Sequence, residues 1–144
     1  MFDVLNEIGV ISQLSRALLE SRLQDGLTQQ HFGVLNHMVR LGDGCTPLWL
    51  ARAFQVPKTS MSHTLAGLEK RGLITMVPNP DDGRGKLIYL TDAGRVLRNS
   101  AISNIAPDVI AMIPQFGRDD ANAALPLLRK LRVLLDEARS TGDR

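Results

Sequence analysis

The sequence predicts a mainly α-helical protein that carries one small β-hairpin. Apolar residues recur at helical spacing through most of its 144 residues. The helical pattern gives way to two short apolar runs, residues 73–77 and 87–90, on either side of the charged stretch NPDDGRGK (79–86). Two short antiparallel strands are expected there. A chain of this length suits one domain, or one domain with an added dimerisation element.

Two helices are predicted in the first third of the chain. Leu5, Ile8 and Leu19 lie on one stripe at helical spacing, which predicts a helix over residues 2–23. Asp25 and Gly26 are expected to end it. A second helix is predicted to begin after an N-cap at Thr28 and to end at the GDG sequence, residues 42–44.

The stretch TPLWLARAFQVPKTSMSHTLAGLEKRGLI (46–74) predicts two short helices joined by a tight turn. Thr46 is a suitable N-cap, and Pro47 occupies the first helical position, where its missing N–H costs nothing. Pro57 disfavours helical geometry at Val56, so a new helix is expected from about Lys58 to Arg71. This arrangement is a helix-turn-helix.

The second of these helices is predicted to have an apolar face and a polar face. Met61, Leu65 and Leu68 form the apolar face, and the opposite face is free of carboxylates. Small hydroxyl side chains near a helix N-terminus allow the backbone to approach phosphate groups closely. The candidate DNA contacts on this helix are Lys58, Thr59, Ser60, Ser62, His63 and Lys70. A winged helix that binds proteins would tolerate an acidic or apolar outer face. The predicted outer face is neither, so a protein-interaction module is the less favoured alternative.

The charge distribution points to the same region. Residues 52–98 hold eight Lys and Arg against four Asp and Glu, whereas residues 1–51 hold three against five. Excess positive charge confined to one segment is expected when that segment alone meets a polyanion. A solvated surface face is the alternative interpretation.

The charged stretch between the two strands is longer than a tight turn requires. We expect it to form a loop that reaches past the second helix of the pair to DNA backbone or minor groove. Arg84 is the predicted probe of a narrow minor groove, and Lys86 adds positive charge beside it. Asp82 is predicted to orient the loop or Arg84; Asp82, Gly83 and Gly85 could instead be turn formers only.

The order of these elements predicts a winged helix-turn-helix core over residues 28–95, with Thr91 as the N-cap of the next helix. Residues 1–27 and 96–144 are predicted to be dimerisation helices, because leucines and alanines of residues 119–139 form a seam wider than one partner face needs. A monomer that folds these helices onto itself is the alternative. Pro107 and Pro126 predict kinks or breaks in them.

The stretches LARAFQVPKTSMSHTLAGLEKRGLI (50–74) and NPDDGRGKLIYLTDAG (79–94) resemble the MarR family of winged-helix transcriptional regulators. The most specific part of the resemblance is the wing pattern Asp82-x-Arg84 followed by Leu90-Thr91 and Ala93-Gly94. The resemblance implies a homodimer on pseudo-palindromic double-stranded operator DNA, with a small-molecule effector that weakens binding. We expect a repressor whose effector is a small amphipathic molecule that binds between the dimerisation helices and the winged core.

Three positions depart from the family's pattern. His63 and Gly83 stand where the family often has Arg, and Met76 and Val77 lie in a strand that is often basic. Fewer cations in contact with phosphate imply weaker DNA binding, or binding at lower salt.

Other classes of function find little support. The sequence lacks a Gly-rich phosphate loop, a nucleophile elbow and a paired His-carboxylate motif, so neither an enzyme nor a catalytic residue is expected. The spacing of His31, His37 and Cys45 indicates no shared helical face, so neither a metal nor another cofactor is expected. A redox-sensing regulator that uses Cys45 is an alternative, although Asp43 is near and no cation is evident beside it.

The cellular location follows from the same survey. No apolar run is long enough to span a bilayer, and the N-terminus lacks the features of a signal peptide. A single cysteine cannot form an internal disulfide. We therefore expect a cytoplasmic protein with no membrane partner.

Overall fold

The computed structural model describes residues 1–24 and 26–142, with side chains through Arg139. Its elements are α1 (Phe2–Arg22), α2 (Gln29–Leu41), α3 (Pro47–Ala53), α4 (Lys58–Lys70), β1 (Ile74–Asn79), β2 (Asp82–Leu90), α5 (Asp92–Phe116) and α6 (Arg118–Gly142). The predicted fold class, mainly α with a small β wing, is confirmed. Helix α1 ends at Arg22, before the expected stop, and Asp25 lies outside the described residues.

The predicted threonine caps are all present. The Thr46 hydroxyl oxygen accepts a hydrogen bond of 3.2 Å from the backbone N–H of Trp49, and Pro47 is the first residue of α3. The Thr91 hydroxyl oxygen accepts one of 3.0 Å from the N–H of Gly94 at the start of α5. Each bond satisfies a backbone donor that has no partner within its own helix.

The core lies between α2, α3, α4 and the hairpin, as the apolar pattern predicts. Leu50 and Ala51 of α3 are buried together with the apolar face of α4, and Phe54 and Val56 of the intervening turn pack against them. The largest fully buried side chains are Leu35, Met38, Leu50, Met61, Leu65, Leu68, Ile74, Ile88 and Val34. This packing fixes how α4 crosses α3 and which face of α4 points outward.

The hairpin differs from the expected long tip loop. The strands pair antiparallel from Ile74 opposite Leu90 to Pro78 opposite Lys86, and Asn79 then pairs with Asp82. The turn is therefore only two residues long, and the extra residues 83–85 bulge out of β2. Local hydrogen bonding explains the short turn, because the Asn79 side-chain oxygen accepts the N–H of Asp81 at 3.0 Å.

The loop between α2 and α3 pairs over a short stretch with the outer edge of β2, which the sequence did not predict. The N–H of Gly44 donates to the carbonyl of Ile88 at 2.9 Å, and the N–H of Ile88 donates to the carbonyl of Cys45 at 3.0 Å. The Asp43 carboxylate accepts the N–H of Leu90 at 3.0 Å. The outer edge of β2 is thereby fastened to the helical core.

Of the kinks or breaks expected at Pro107 and Pro126, the breaks are absent, and a kink stays a prediction. Helix α5 continues through Pro107 and Pro114, and α6 continues through Pro126. A proline removes one backbone donor, and the hydrogen bonds on either side of it are enough to continue these helices. The helical chain is interrupted instead at Gly117, whose φ of 82° lies in the left-handed region that glycine enters easily.

The chain divides into two compact units, residues 1–105 and 106–144. The first contains the core and α1, which has no buried residue although it carries exposed Val10, Ile11 and Leu14. In the described part of the second unit, Leu127, Leu134 and other leucines of α6 are exposed. The predicted boundaries 1–27, 28–95 and 96–144 stay a prediction. No described helix is both long and apolar enough to cross a membrane.

Candidate nucleic-acid interface

The outward face of α4 carries all of the side chains singled out on this helix. Met61, Thr64, Leu65 and Leu68 are buried, and the buried Thr64 hydroxyl donates to the carbonyl of Ser60 at 3.0 Å. The exposed side chains are Lys58, Thr59, Ser60, Ser62, His63 and Lys70. The burial pattern therefore separates the two faces of α4 as the helical period requires.

The N-terminus of α4 is open to an anion. Its N-cap is Pro57, and no described side chain makes a capping hydrogen bond to its first turn. The first turn contains no acidic residue, and Lys58 lies at its start. Uncapped N–H groups and the helix dipole both favour a phosphate at this position.

The bulge in β2 presents Arg84 to solvent. The Asp82 carboxylate accepts the backbone N–H of Arg84 at 3.1 Å, so it holds the backbone of the bulge rather than the guanidinium. A Cβ at Gly85 would lie 3.1 Å from the other Asp82 oxygen, closer than an ordinary van der Waals contact. Asp82, Arg84 and Lys86 are all exposed. The described residues provide no hydrogen bond or ion pair to the Arg84 guanidinium.

Gly94 is a structural residue whose role was not predicted, although it lies in the quoted sequence TDAG. It is buried in the first turn of α5, and an added Cβ would overlap the carbonyl oxygen of Leu73 and lie 2.8 Å from Leu90 Cδ1. The Thr91 hydroxyl also donates to the carbonyl of Gly72 at 2.7 Å. The start of α5 is thus held directly against the chain segment that joins α4 to the wing.

Cys45 is poorly suited to a redox role. Its thiol is half-buried, and burial raises its pKa; a backbone hydrogen bond lowers the pKa by less, and the Asp43 carboxylate raises it by less still. The reactive form of cysteine is the thiolate, which these conditions disfavour. Within the described part of the chain, no group of three His, Cys, Asp or Glu side chains could hold a metal ion.

Two clefts lie in the first unit, one of them mainly apolar. A cleft of about 340 Å³ is lined by Leu23, Leu73, Val96, Leu97 and Ala101, with Arg22 and Asn104 as polar members. A second, of about 470 Å³, lies between Arg16 and Glu20 of α1, Gln30 of α2 and the turn after α3. Both volumes are within the range of small-molecule sites.

These elements define a winged helix-turn-helix protein. Its core contains α2 and the helix pair α3 and α4; α4 keeps one face exposed, and the hairpin is the wing. Residues 25–85 match the model of the MarR family. The match covers α2, α3, α4, β1 and the start of β2, and it confirms the resemblance stated from the sequence.

Solved structures show the same fold over most of the chain. The chain is 18% identical to a MarR protein from Peptoclostridium difficile, over 94% of this chain and 89% of that one, with a TM-score of 0.83. It is 24% identical to a mutant MarR from E. coli complexed with operator DNA, over 90% and 93% of the two chains, with a TM-score of 0.78. BpsR from Bordetella bronchiseptica, whose DNA binding is regulated by 6-hydroxynicotinic acid, is 22% identical over 90% and 98%, with a TM-score of 0.78.

Proposed function

We propose that this protein is a transcriptional regulator that binds double-stranded DNA through α4 and the wing. The observation that carries the proposal is the exposed face of α4, which combines an uncapped N-terminus, small hydroxyl side chains and terminal lysines without a carboxylate until Glu69. These features favour close contact with phosphates and leave short side chains facing base edges. Arg84 and Lys86 on the wing extend the same positive surface.

The proposed active species is a homodimer that binds a pseudo-palindromic operator. Each compact unit leaves apolar helical surface exposed: Val10, Ile11 and Leu14 on α1 in the first, and Leu127 and Leu134 on α6 in the second. Surface of this kind is stabilised when a second copy covers it across a two-fold axis. Two copies of α4 would then enter successive major grooves, and each wing would meet a flanking minor groove.

A small amphipathic effector is proposed to weaken DNA binding and so relieve repression. The cleft of about 340 Å³ has an apolar wall and the polar members Arg22 and Asn104, which suits a molecule with one polar end. BpsR supports the idea, since 6-hydroxynicotinic acid regulates the DNA binding of that similar protein. An effector acts by binding one arrangement of the dimer's two copies of α4 and the wing better than another.

The test is a titration of labelled DNA from upstream of the protein's own coding region, at low and moderate salt. An unrelated duplex of equal length and base composition serves as the control. We expect preferential binding to the upstream DNA that weakens as salt rises, because phosphate contacts release counterions. Equal affinity for both duplexes, or no binding at either salt concentration, would reject the regulator hypothesis.

A further inference from the structure

The His31 side chain contacts both the beginning of α2 and helix α4. The backbone N–H of Thr28 donates to His31 Nδ1 at 3.1 Å, and the Thr28 hydroxyl oxygen accepts the backbone N–H of His31 at 3.4 Å. This reciprocal pair is a capping box with histidine in the place that Glu or Gln usually occupies. The other edge of the ring lies against α4, since a Cβ added to Gly67 would be 2.8 Å from His31 Nε2.

The hydrogen bond from Thr28 requires a neutral imidazole. A ring nitrogen that accepts a hydrogen bond carries no proton, so the proton of neutral His31 is on Nε2, toward α4. Burial lowers the pKa of His31 from its ordinary value of 6.5, and the charges of Arg71 and His63 lower it further. Glu20 of α1 acts in the opposite direction, with a smaller effect. The structure therefore favours the neutral ring at neutral pH.

Protonation would change both contacts of the ring. Nδ1 could no longer accept the Thr28 N–H, although it could still donate to the Thr28 hydroxyl oxygen, 2.8 Å away. The protonated ring would also place a positive charge near His63 of α4 and near Arg71, the residue that follows α4. The cap of α2 would lose one hydrogen bond, and the α2 contact against which α4 is seated would become repulsive.

We propose that His31 is a positioning residue for α4 and that protonation of its ring weakens DNA binding as the pH falls. The inference rests on the proposed function, because it assumes that α4 reads DNA. It assigns to His31 no contact with DNA. The orientation of α4 would instead depend on the capping box of α2, which loses the hydrogen bond from the Thr28 N–H when the His31 ring is protonated.

The link between ring and cap can be tested without DNA. We expect the Thr28 amide proton resonance of the wild-type protein to move along the same titration curve as the His31 ring protons in NMR spectra recorded between about pH 8 and about pH 5. Amide resonances of α4 around Gly67 should follow the same curve. A Thr28 resonance that does not change while the His31 ring titrates would overturn the inference.

The effect on DNA is measured in a His63→Gln background, so that the exposed ring of His63, itself a candidate DNA contact, does not contribute. His31→Gln is the matched variant, because Gln at this position keeps the capping acceptor and does not titrate. We expect His63→Gln protein, at a pH low enough that the NMR titration shows the His31 ring protonated, to bind upstream DNA roughly fivefold more weakly than at about pH 7.5, the effect of one lost hydrogen bond. The double variant should bind equally at both.

Two other outcomes can be told apart. If the single and double variants lose the same affinity between the two pH values, His31 does not position α4, while the regulator hypothesis stands. If neither variant nor the wild-type protein binds the upstream DNA at either pH, the proposed function fails and this inference fails with it.

Discussion

Replacement of Gly94 by alanine tests whether the start of α5 is fixed against the α4–wing connection. The added methyl group would overlap the Leu73 carbonyl oxygen, and Leu90 Cδ1 would lie 2.8 Å away. The overlap is with backbone, which cannot rotate away as a flexible side chain can, so overpacking should cost about 1–3 kcal/mol. Displacing that carbonyl would also weaken its hydrogen bond from the Thr91 N–H, now 3.2 Å, at a cost of about 1 kcal/mol.

One effect acts in the opposite direction. Alanine is favoured over glycine in a helix by roughly 1 kcal/mol, which offsets the lost hydrogen bond. The net expectation for Gly94→Ala is a free energy of unfolding lower by about 1–3 kcal/mol. Urea denaturation followed by far-UV circular dichroism measures it, at one fixed protein concentration because association would also stabilise the native state.

Gly83→Ala is the matched control. Gly83 lies in the exposed bulge of the wing, and a Cβ there would have no neighbour within 4 Å among the described atoms. Its stability should change by less than about 0.5 kcal/mol. If Gly94→Ala proved as stable as the wild-type protein, α5 would not be held against Leu73 in the way described.

Four further expectations follow from the geometry. Arg84→Ala should weaken binding to upstream DNA by about 1 kcal/mol or more and flatten its salt dependence in fluorescence anisotropy titrations, whereas Arg139→Ala on α6 should not; equal effects would exclude the wing from the interface. Thr46→Ala should lower the free energy of unfolding by about 1 kcal/mol in urea denaturation, because α3 loses its cap; an unchanged midpoint and slope would contradict this. Burial and, to a lesser extent, Arg40 lower the pKa of His37 from 6.5, so the unfolded chain binds this proton first and stability falls as the pH drops below 6.5. His37→Phe keeps the ring contact with Trp49 and should reduce that loss in denaturation experiments at several pH values; an unreduced loss would refute it. Finally, burial raises the pKa of the half-buried Cys45 thiol, so iodoacetamide should modify the native protein at neutral pH more slowly than the urea-unfolded protein; similar rates would contradict this protection of the thiol.

The helix-turn-helix could be predicted from sequence because its signals are local. Thr46, Pro47 and Pro57 fix the ends of α3 and α4 through capping and through the restricted backbone of proline. The period of the apolar residues then determines the buried face of α4, and with it the exposed one. One feature of the turn between the helices could not be predicted. Gln55 has a φ of 56°, and glutamine is not a residue type that indicates a positive φ.

The wing and the C-terminal helices were less predictable because their geometry depends on competing interactions. The length of the charged stretch predicted a long loop at the hairpin tip. The Asn79 and Asp82 hydrogen bonds instead favour a short turn followed by a bulge in β2. The Asp43 contact with β2 joins residues 47 positions apart and has no local signal. Pro107 and Pro126 favour a break locally, yet the surrounding helical hydrogen bonds outweigh them.

The same distinction applies to the interface residues. The polar face of α4 follows from helical periodicity, so exposure of Ser62 and His63 could be anticipated. The uncapped N-terminus of α4 could be anticipated as well, since Pro57 has no side-chain acceptor. The proposed dependence of the α4 position on His31 could not be anticipated, because it rests on a ring that contacts both Thr28 and Gly67.

Hydroxyl-radical footprinting of the upstream DNA with wild-type protein tests the central claim most directly. Two related copies of α4, each with its wing, predict two protected regions centred about one helical turn, or ~10 base pairs, apart, with additional protection in the flanking minor grooves. Arg84→Ala should remove the flanking protection and leave the central pair. A uniform pattern without paired protection, at protein concentrations that saturate the DNA, would contradict a dimer that reads DNA with α4 and the wing.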